Sequence, residues 1–391
     1  MNNPQKENIW TRDFILLSFA NLLMAIAFYF LISTLPVYIV EVLKTSKSEA
    51  GLILSFYTIA ALIIRPIAGY YVDSLGRKNI YLLSLLAFSL LFNMYIVATT
   101  ISIMLLLRFI HGLAWGITST SGSTVVVDII PVARRGEGIG VFGLSMTIAM
   151  ALGPVIGLEI SKGNNFNSMF ITGSALSLAG LSLALITHYP VYSPVKVKFQ
   201  WKNLIDKRSV PISINQLFIT ISYGGLLSFI AIYGKEVGIN NPGLFFMVYA
   251  AGIAVSRVIS GKIFDRYGPK AIISSGIILL IIGFPILAYF RSYSGFLVSA
   301  AILGLGNGVV YPNFQAMINN VVEPQRRGAG NSTLFTAFDM GIGFGMIFNG
   351  FLADHLGLSN AYMISAVINI LSLIYFLIYV VKHYYRYRII N

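Results

Sequence analysis

Gly69-Tyr70-Tyr71-Val72-Asp73-Ser74-Leu75-Gly76-Arg77-Lys78 joins two long apolar runs of a 391-residue chain. So few residues separate the runs that both flanking helices must turn back at once through a charged, glycine-bearing hairpin. Such a hairpin belongs at a membrane surface. Gly69 is expected to allow close helix approach, Asp73 and Arg77 to pair across the turn, and Gly76 to supply the backbone freedom of a tight reversal. A second copy runs from Gly261 to Lys270, where Gly261, Asp265, Gly268 and Lys270 repeat Gly69, Asp73, Gly76 and Lys78 at a constant offset of 192 residues. The same ungapped offset pairs Gly51 with Gly243, Tyr57 with Tyr249, Arg65 with Arg257, Gly112 with Gly304, Gly116 with Gly308, Arg135-Gly136 with Arg327-Gly328 and Gly153 with Gly345. One register serving arginine, aspartate, tyrosine and glycine across most of the chain argues for an internal duplication.

Composition sets the class. Hydrophobic residues make up 57% of the chain, charged residues 10%, and the mean hydropathy is +0.79, values that exclude a soluble globular protein with a polar surface. A bilayer-spanning helix needs roughly 20 apolar residues, and twelve such runs fit between residues 13 and 382. They are continuous rather than alternating, which argues against a membrane β-barrel. The expected fold is an all-α membrane protein of two pseudo-symmetric six-helix bundles, residues 1–189 and 211–391, joined by a cytoplasmic linker at 190–210.

The formal charge of +13 follows the membrane rather than nucleic acid. Arg77-Lys78, Arg134-Arg135, the run from Lys196 to Arg208, Lys262 to Lys270, Arg326-Arg327 and the tail from Lys382 to Arg388 fall on one side, and the other side holds only Lys44, Lys47, Lys162, Lys235 and Arg291. By the positive-inside rule the first side is cytoplasmic, so both termini and both hairpins are expected there, in a multi-pass protein of the inner membrane. Membrane lipids account for the basicity without nucleic acid. The chain has no cysteine, and its four histidines form no metal cluster, so no metal and no cofactor is expected.

Polar residues inside the runs are the functional candidates. The fourth run places Arg108 and His111 several residues deep, followed by small residues and then Asp128 near its cytoplasmic end. The fifth carries Gly140, Gly143, Gly153-Pro154 and Gly157, which bend it and give it a close-packing face. Asp339 lies near the centre of the eleventh run, where an acid is expensive unless it serves a purpose. The final Lys382-His-Tyr-Tyr-Arg-Tyr-Arg reads as an interfacial anchor.

Twelve runs, a duplicated half and the paired Gly-x-x-x-Asp-x-x-Gly hairpins resemble the major facilitator superfamily over essentially the whole chain. Gly69, Asp73, Gly76, Arg77 and Lys78 are similar to that family's signature, with Ser74 where a basic residue is common. The second copy has Pro269 in place of the arginine. Arg108 with Gly112 and Gly116 resembles the motif of proton-coupled members. Gly140, Gly153, Pro154 and Gly157 resemble the helix-five motif of the drug-antiporter branch, although Ala149 and Leu158 stand where that pattern prefers glycine.

The resemblance implies alternating access by two bundles around a site near the membrane midplane. It implies that Asn21, Tyr29, Arg108, Asn215, Gln216, Asn307, Tyr311 and Asn313 line a substrate cavity. Asp73, Arg77 and Asp128 are then expected to form a cytoplasmic latch that fastens the first half to the start of the eleventh run. Asp339, with Arg108 and His111, becomes the proton-coupling candidate. The expected activity is proton-driven export of drugs or small metabolites by a monomer that is not an enzyme. The alternatives are import of a sugar or organic acid, or export of a siderophore-like or metallophore-like chelator. A membrane enzyme should show a convergent His, Asp, Glu or Ser constellation, and the sequence offers none.

Overall fold

The computed structural model describes residues 8–131, 134–162, 165–190, 205–323 and 327–389, without the side chains of residues 66, 73–75, 135–137, 140, 262, 265 and 327–328. Its long helices are α1 (Arg12–Glu41), α2 (Lys47–Leu75), α3 (Arg77–Met94), α4 (Ile101–Ile129), α5 (Arg135–Ile160) and α6 (Phe166–Leu185). The second half supplies α7 (Val210–Glu236), α8 (Leu244–Tyr267), α9 (Pro269–Tyr289), α10 (Tyr293–Val321), α11 (Arg327–Leu356) and α12 (Leu358–Tyr375). Twelve spans among the described residues are long and apolar enough to cross a bilayer. Helices are the form such spans must take, because a hydrocarbon core offers backbone N–H and C=O groups no partner except one another.

A π-turn (Phe376–Val380) continues α12 into α13 (Val381–Tyr387). The expected anchor is therefore helical. It carries an aromatic ladder at four-residue spacing, Tyr375 on Tyr379 at 5.6 Å, Tyr379 on His383 at 6.3 Å and His383 on Tyr387 at 4.8 Å between ring centroids.

The duplication extends from sequence to geometry. Gly76 and Gly268, 192 residues apart, both hold positive φ, 109° and 77°, a conformation side chains other than glycine rarely adopt. Thr100 caps α4 by accepting from Ile103 N at 3.3 Å, and Ser292, again 192 residues on, caps α10 by accepting from Gly295 N at 3.1 Å. Helix crossings repeat as well. A Cβ on Gly116 would strike Ile64 and Ala61 of α2, and one on Gly308 would strike their counterparts Ser256 and Ile253 of α8. A Cβ on Gly153 would lie 2.8 Å from Tyr29 Cβ on α1, and one on Gly345 would lie 2.2 Å from the carbonyl oxygen of the matching Ile221 on α7. These seams need glycine because each puts one helix's backbone against its neighbour.

Gly69 behaves otherwise. A Cβ there, or on Gly261, would meet no atom within 4 Å. The close approach expected of the hairpin's first glycine is absent; Gly76 and its positive φ carry the turn.

The chain divides into two compact units, residues 1–31 with 60–199 and residues 32–59 with 200–391. In the first, α3 packs on α4 and α6, and Gly153 seats α5 on α1. In the second, α7 pairs with α11 and α12, α8 with α10, and α9 with α10 and α12. Much of the expected linker at 190–210 lies outside the described residues. The last ten residues of α1 and the first thirteen of α2 group with the second half of the sequence, an assignment that hydropathy and the repeat do not contain.

Candidate functional site

At the hairpin, Arg77 Nη1 donates to Asp128 Oδ1, tying the first turn of α3 to the last turn of α4. The third member of the expected latch, Asp73, has its side chain outside the described residues. Lys78 Nζ lies 5.3 Å from the Tyr189 ring centroid, a cation–π distance. Tyr189 itself donates to Ala184 O at 2.6 Å, and burial, reinforced by the charge of Asp13, pushes its phenol up so that it stays protonated. Gly76, Arg77, Lys78, Asn79, Val125, Asp128, Tyr189 and Pro190 line an open cavity of about 250 Å³.

The fourth run's cation is not at a surface. Arg108 is 2% exposed and donates to Tyr95 Oη at 3.4 Å, while Tyr95 Oη lies 3.0 Å from His111 Nδ1. Aromatic rings close the cluster. Phe88 and Phe92 lie 4.7 and 4.9 Å from the His111 ring, and Phe170 stacks on Tyr95 at 5.3 Å. Arg108 and His111 are thus brought together in the α3–α4–α6 core, around a tyrosine that the sequence reading did not single out. Tyr95 has no motif of its own; it opens a 3₁₀ turn after α3, and only the packing of α3 on α4 brings it to Arg108. Nearer α1, Trp115 stacks on Phe28 at 4.2 Å with an interplanar angle of 7°.

The remaining cavity candidates of the first unit sit on α1. Asn21 donates to Ser145 of α5, and Tyr29 is half-buried beside Gly153. Pro154 lies inside α5, and a Cβ on Gly143 would meet nothing within 4 Å, so of Gly143 and Gly153 it is Gly153 that makes the α1 seam. Gly140 and Gly157 lie within α5, as the motif expects.

In the second unit the polar candidates separate by what they bond. Asn215 is fully buried, and its Nδ2 donates to Ser372 O at 2.8 Å and Ser372 Oγ at 2.9 Å, so it joins α7 to α12 instead of lining a cavity. Gln216 is 2% exposed on the same helix. Asn313 turns back on its own helix, donating to Val309 O at 2.6 Å, and Asn307 does the same to Leu303 O at 3.2 Å. Asn307 and Tyr311 keep partial exposure. Tyr311 meets Phe338 at 5.2 Å and Phe335 at 6.4 Å, and Tyr223 meets Phe338 at 6.4 Å. Asp339, 8% exposed, follows Phe338 directly and lies one helical turn from Phe335. Two tyrosines and two phenylalanines from α7, α10 and α11 therefore meet beside the stretch of α11 that carries Asp339.

A polar seam escaped the sequence reading. Asn369 Nδ2 donates to Ser222 Oγ at 2.9 Å, Asn349 Nδ2 to Gly345 O at 2.9 Å, and Ser365 Oγ to Asn349 Oδ1 at 3.3 Å. Together with Asn215 these residues bind α7, α11 and α12. Inside a membrane an amide in a helix seam and an amide facing substrate look alike in sequence, since both interrupt an apolar run.

Comparison with known proteins accords with this architecture. The sequence profile described as the Major Facilitator Superfamily matches residues 17–247 and 212–387. The staphylopine export protein of Staphylococcus aureus is 22% identical over 349 residues, covering 85% of this chain and 87% of its own length. Multidrug resistance protein 1 of Bacillus subtilis is 24% identical over 327 residues, covering 81% and 83%. Among solved structures, a bacterial homolog of the human lysosomal transporter Spinster superposes with a TM-score of 0.82 over 97% of this chain and 98% of that one, at 16% identity. With the profile covering both halves of a twelve-helix chain, the protein belongs to the Major Facilitator Superfamily and is a membrane transporter, not an enzyme.

Proposed function

We propose that the protein exports a small drug or metabolite across the cytoplasmic membrane in exchange for protons, exposing a central site alternately to the two sides. The observation that carries this reading is the similarity, over more than 80% of both chains, to one relative named for export and another for multidrug resistance. The α5–α1 seam at Gly153 supports it, because that glycine belongs to the motif resembling the drug-antiporter branch. The lysine and arginine distribution supports an orientation with both termini and both hairpins in the cytoplasm. The protein works as a monomer, surrounded by membrane lipids.

Asp339 is the proton carrier in this reading. It is the one acid the sequence sets deep in a span, it is nearly buried, and it follows Phe338, whose ring meets Tyr223 of α7 and Tyr311 of α10; in this reading substrate contact and protonation compete for its carboxylate. Arg108 and His111 act from the first unit as the second polar centre. Arg77 with Asp128 forms the cytoplasmic latch, assisted by Asp73. In proteoliposomes with an imposed pH gradient, Asp339→Asn should insert and purify as the parent does, yet lose the dependence of substrate flux on that gradient. Gradient-driven flux retained by Asp339→Asn would overturn the assignment.

A further inference from the structure

The two halves close their hairpins with different chemistry. In the first, Arg77 at the start of α3 meets Asp128 at the end of α4. The 192-residue register puts Pro269 and Asn320 at those places in the second half, and they cannot form an ion pair. Asn320 is engaged all the same. Its Nδ2 donates to Tyr384 Oη at 3.1 Å, and its carbonyl accepts from Ile389 N at 2.8 Å, so both partners come from α13 and the residues just past it.

The helix that supplies them runs on where its counterpart stops. α6 and α12 begin in register, at Phe166 and Leu358, 192 residues apart. α6 ends at Leu185 after 20 residues, and residues 186–190 are not helical, whereas the second span continues for 30 residues to Tyr387. The π-turn at Phe376–Val380 marks the place, and its wider winding rotates the face of the helix that follows. Tyr384 is 1% exposed and Val381, one turn earlier, is buried beside it, so one face of α13 is held against the unit. The Tyr385 hydroxyl lies 3.0 Å from where a Cβ on Gly268 would stand, at the positive-φ residue of the α8–α9 turn. On the other flank His383 Nε2 donates to Arg208 O at 2.8 Å, and Arg208 meets Glu323 at 3.3 Å and the Tyr387 ring at 5.9 Å. α13 thus touches the entry to α7, the α8–α9 turn and the end of α10.

We propose that α13 is a strap that does for the second hairpin what the Arg77–Asp128 pair does for the first. It holds the α8–α9 turn to the end of α10, and its grip sets how readily that turn loosens during transport. The inference rests on the latch reading of the hairpins given above. Neutral groups in place of an ion pair make the second closure insensitive to salt. The Arg77 and Asp128 side chains keep 18% and 23% of their exposure, so added salt screens their attraction. The grip on Asn320 and Gly268 uses an amide, two phenols and a backbone N–H, none of them charged.

Hydrogen exchange of the full-length protein in nanodiscs, followed by mass spectrometry, reads both turns at once. Tyr384→Phe removes only the hydroxyl bonded to Asn320, and Tyr385→Ala removes the seat on Gly268. Each should speed exchange in the peptide covering the α8–α9 turn by roughly threefold to tenfold, the worth of one hydrogen bond, and leave the α2–α3 turn at the parent rate. Salt at about 1 M, where the screening length falls to about 3 Å, should instead speed the α2–α3 turn and spare α8–α9. Adding Pro269→Arg and Asn320→Asp to Tyr385→Ala rebuilds the first half's pair and should restore protection, now sensitive to salt, an outcome that misfolding would not produce. Strap variants that leave the α8–α9 turn at the parent rate overturn the proposal. An α8–α9 turn that salt loosens as much as α2–α3, or a rebuilt pair that restores nothing, counts the same way. Neither substrate nor a gradient is needed, so the strap can fail while the export reading stands, and the reverse.

Discussion

Gly345→Ala tests the packing argument where it is sharpest. A Cβ at Gly345 would stand 2.2 Å from the Ile221 carbonyl oxygen and 2.9 Å from the Ile221 carbonyl carbon and Cα. Those atoms are backbone and cannot rotate away, and ordinary contact begins at 3.4 Å, so α11 must retreat from α7 by about 1.2 Å. Overpacking of this kind costs about 1–3 kcal/mol, and a rigid wall places it at the upper end. Alanine's better helix propensity returns about 1 kcal/mol, leaving a net loss of about 2 kcal/mol. The counterpart Gly153→Ala needs a shift of only about 0.6 Å against Tyr29 Cβ, which predicts a net effect of about 0–1 kcal/mol. Gly143→Ala, with nothing within 4 Å, should be neutral or stabilising. Thermal unfolding in detergent, followed by the fluorescence of the three tryptophans and 22 tyrosines, should therefore rank Gly143→Ala at or above the parent, then Gly153→Ala, then Gly345→Ala. A Gly345→Ala protein as stable as the parent, or a Gly143→Ala protein as damaged as Gly345→Ala, would refute the reasoning.

Asn215→Ala and Ser372→Ala should each lower stability by about 0.6 kcal/mol and at most about 1.7, the average and the maximum for hydrogen bonds between membrane helices, and the double variant should lose less than the sum. Substrate affinity should stay at the parent value, and a large rise in Kd in Asn215→Ala would return that residue to the cavity. Arg77→Ala should cost roughly 1 kcal/mol or less, as expected of a partly exposed pair, yet reduce transport more than its stability loss explains. Exchanging the charges in Arg77→Asp with Asp128→Arg should recover part of that activity; no recovery would count against the pair as a functional contact.

The duplicated hairpins were legible in the sequence because their cause is local. A positive φ at Gly76 and Gly268 is a property of one residue's backbone, so glycine at both sites announces it. Hydropathy likewise gave the spans, because a helix in hydrocarbon must be apolar over its whole length. The Thr100 and Ser292 caps lie in the same register but carry no local signal, since threonine and serine are common at every loop. Gly69 misled for the opposite reason. Its place in the motif is visible, whereas the empty space beside it depends on what the fold leaves there.

The functional residues were less legible. An apolar helix in a membrane shows lipid, neighbour and cavity faces with nearly the same composition, so periodicity does not sort them. Asn215, Asn307, Asn313 and Asp339 all read as polar interruptions, and packing then set Asn215 on α12 and folded Asn313 back on Val309. Twelve spans, their repeat at 192 residues and the glycine at each hairpin turn are readable from the residues alone, because they follow from solvent and backbone. That Tyr95 joins Arg108 to His111 and that Asp354 caps a helix beginning 307 residues earlier is visible only in the packing, because such partners are set by which helices touch.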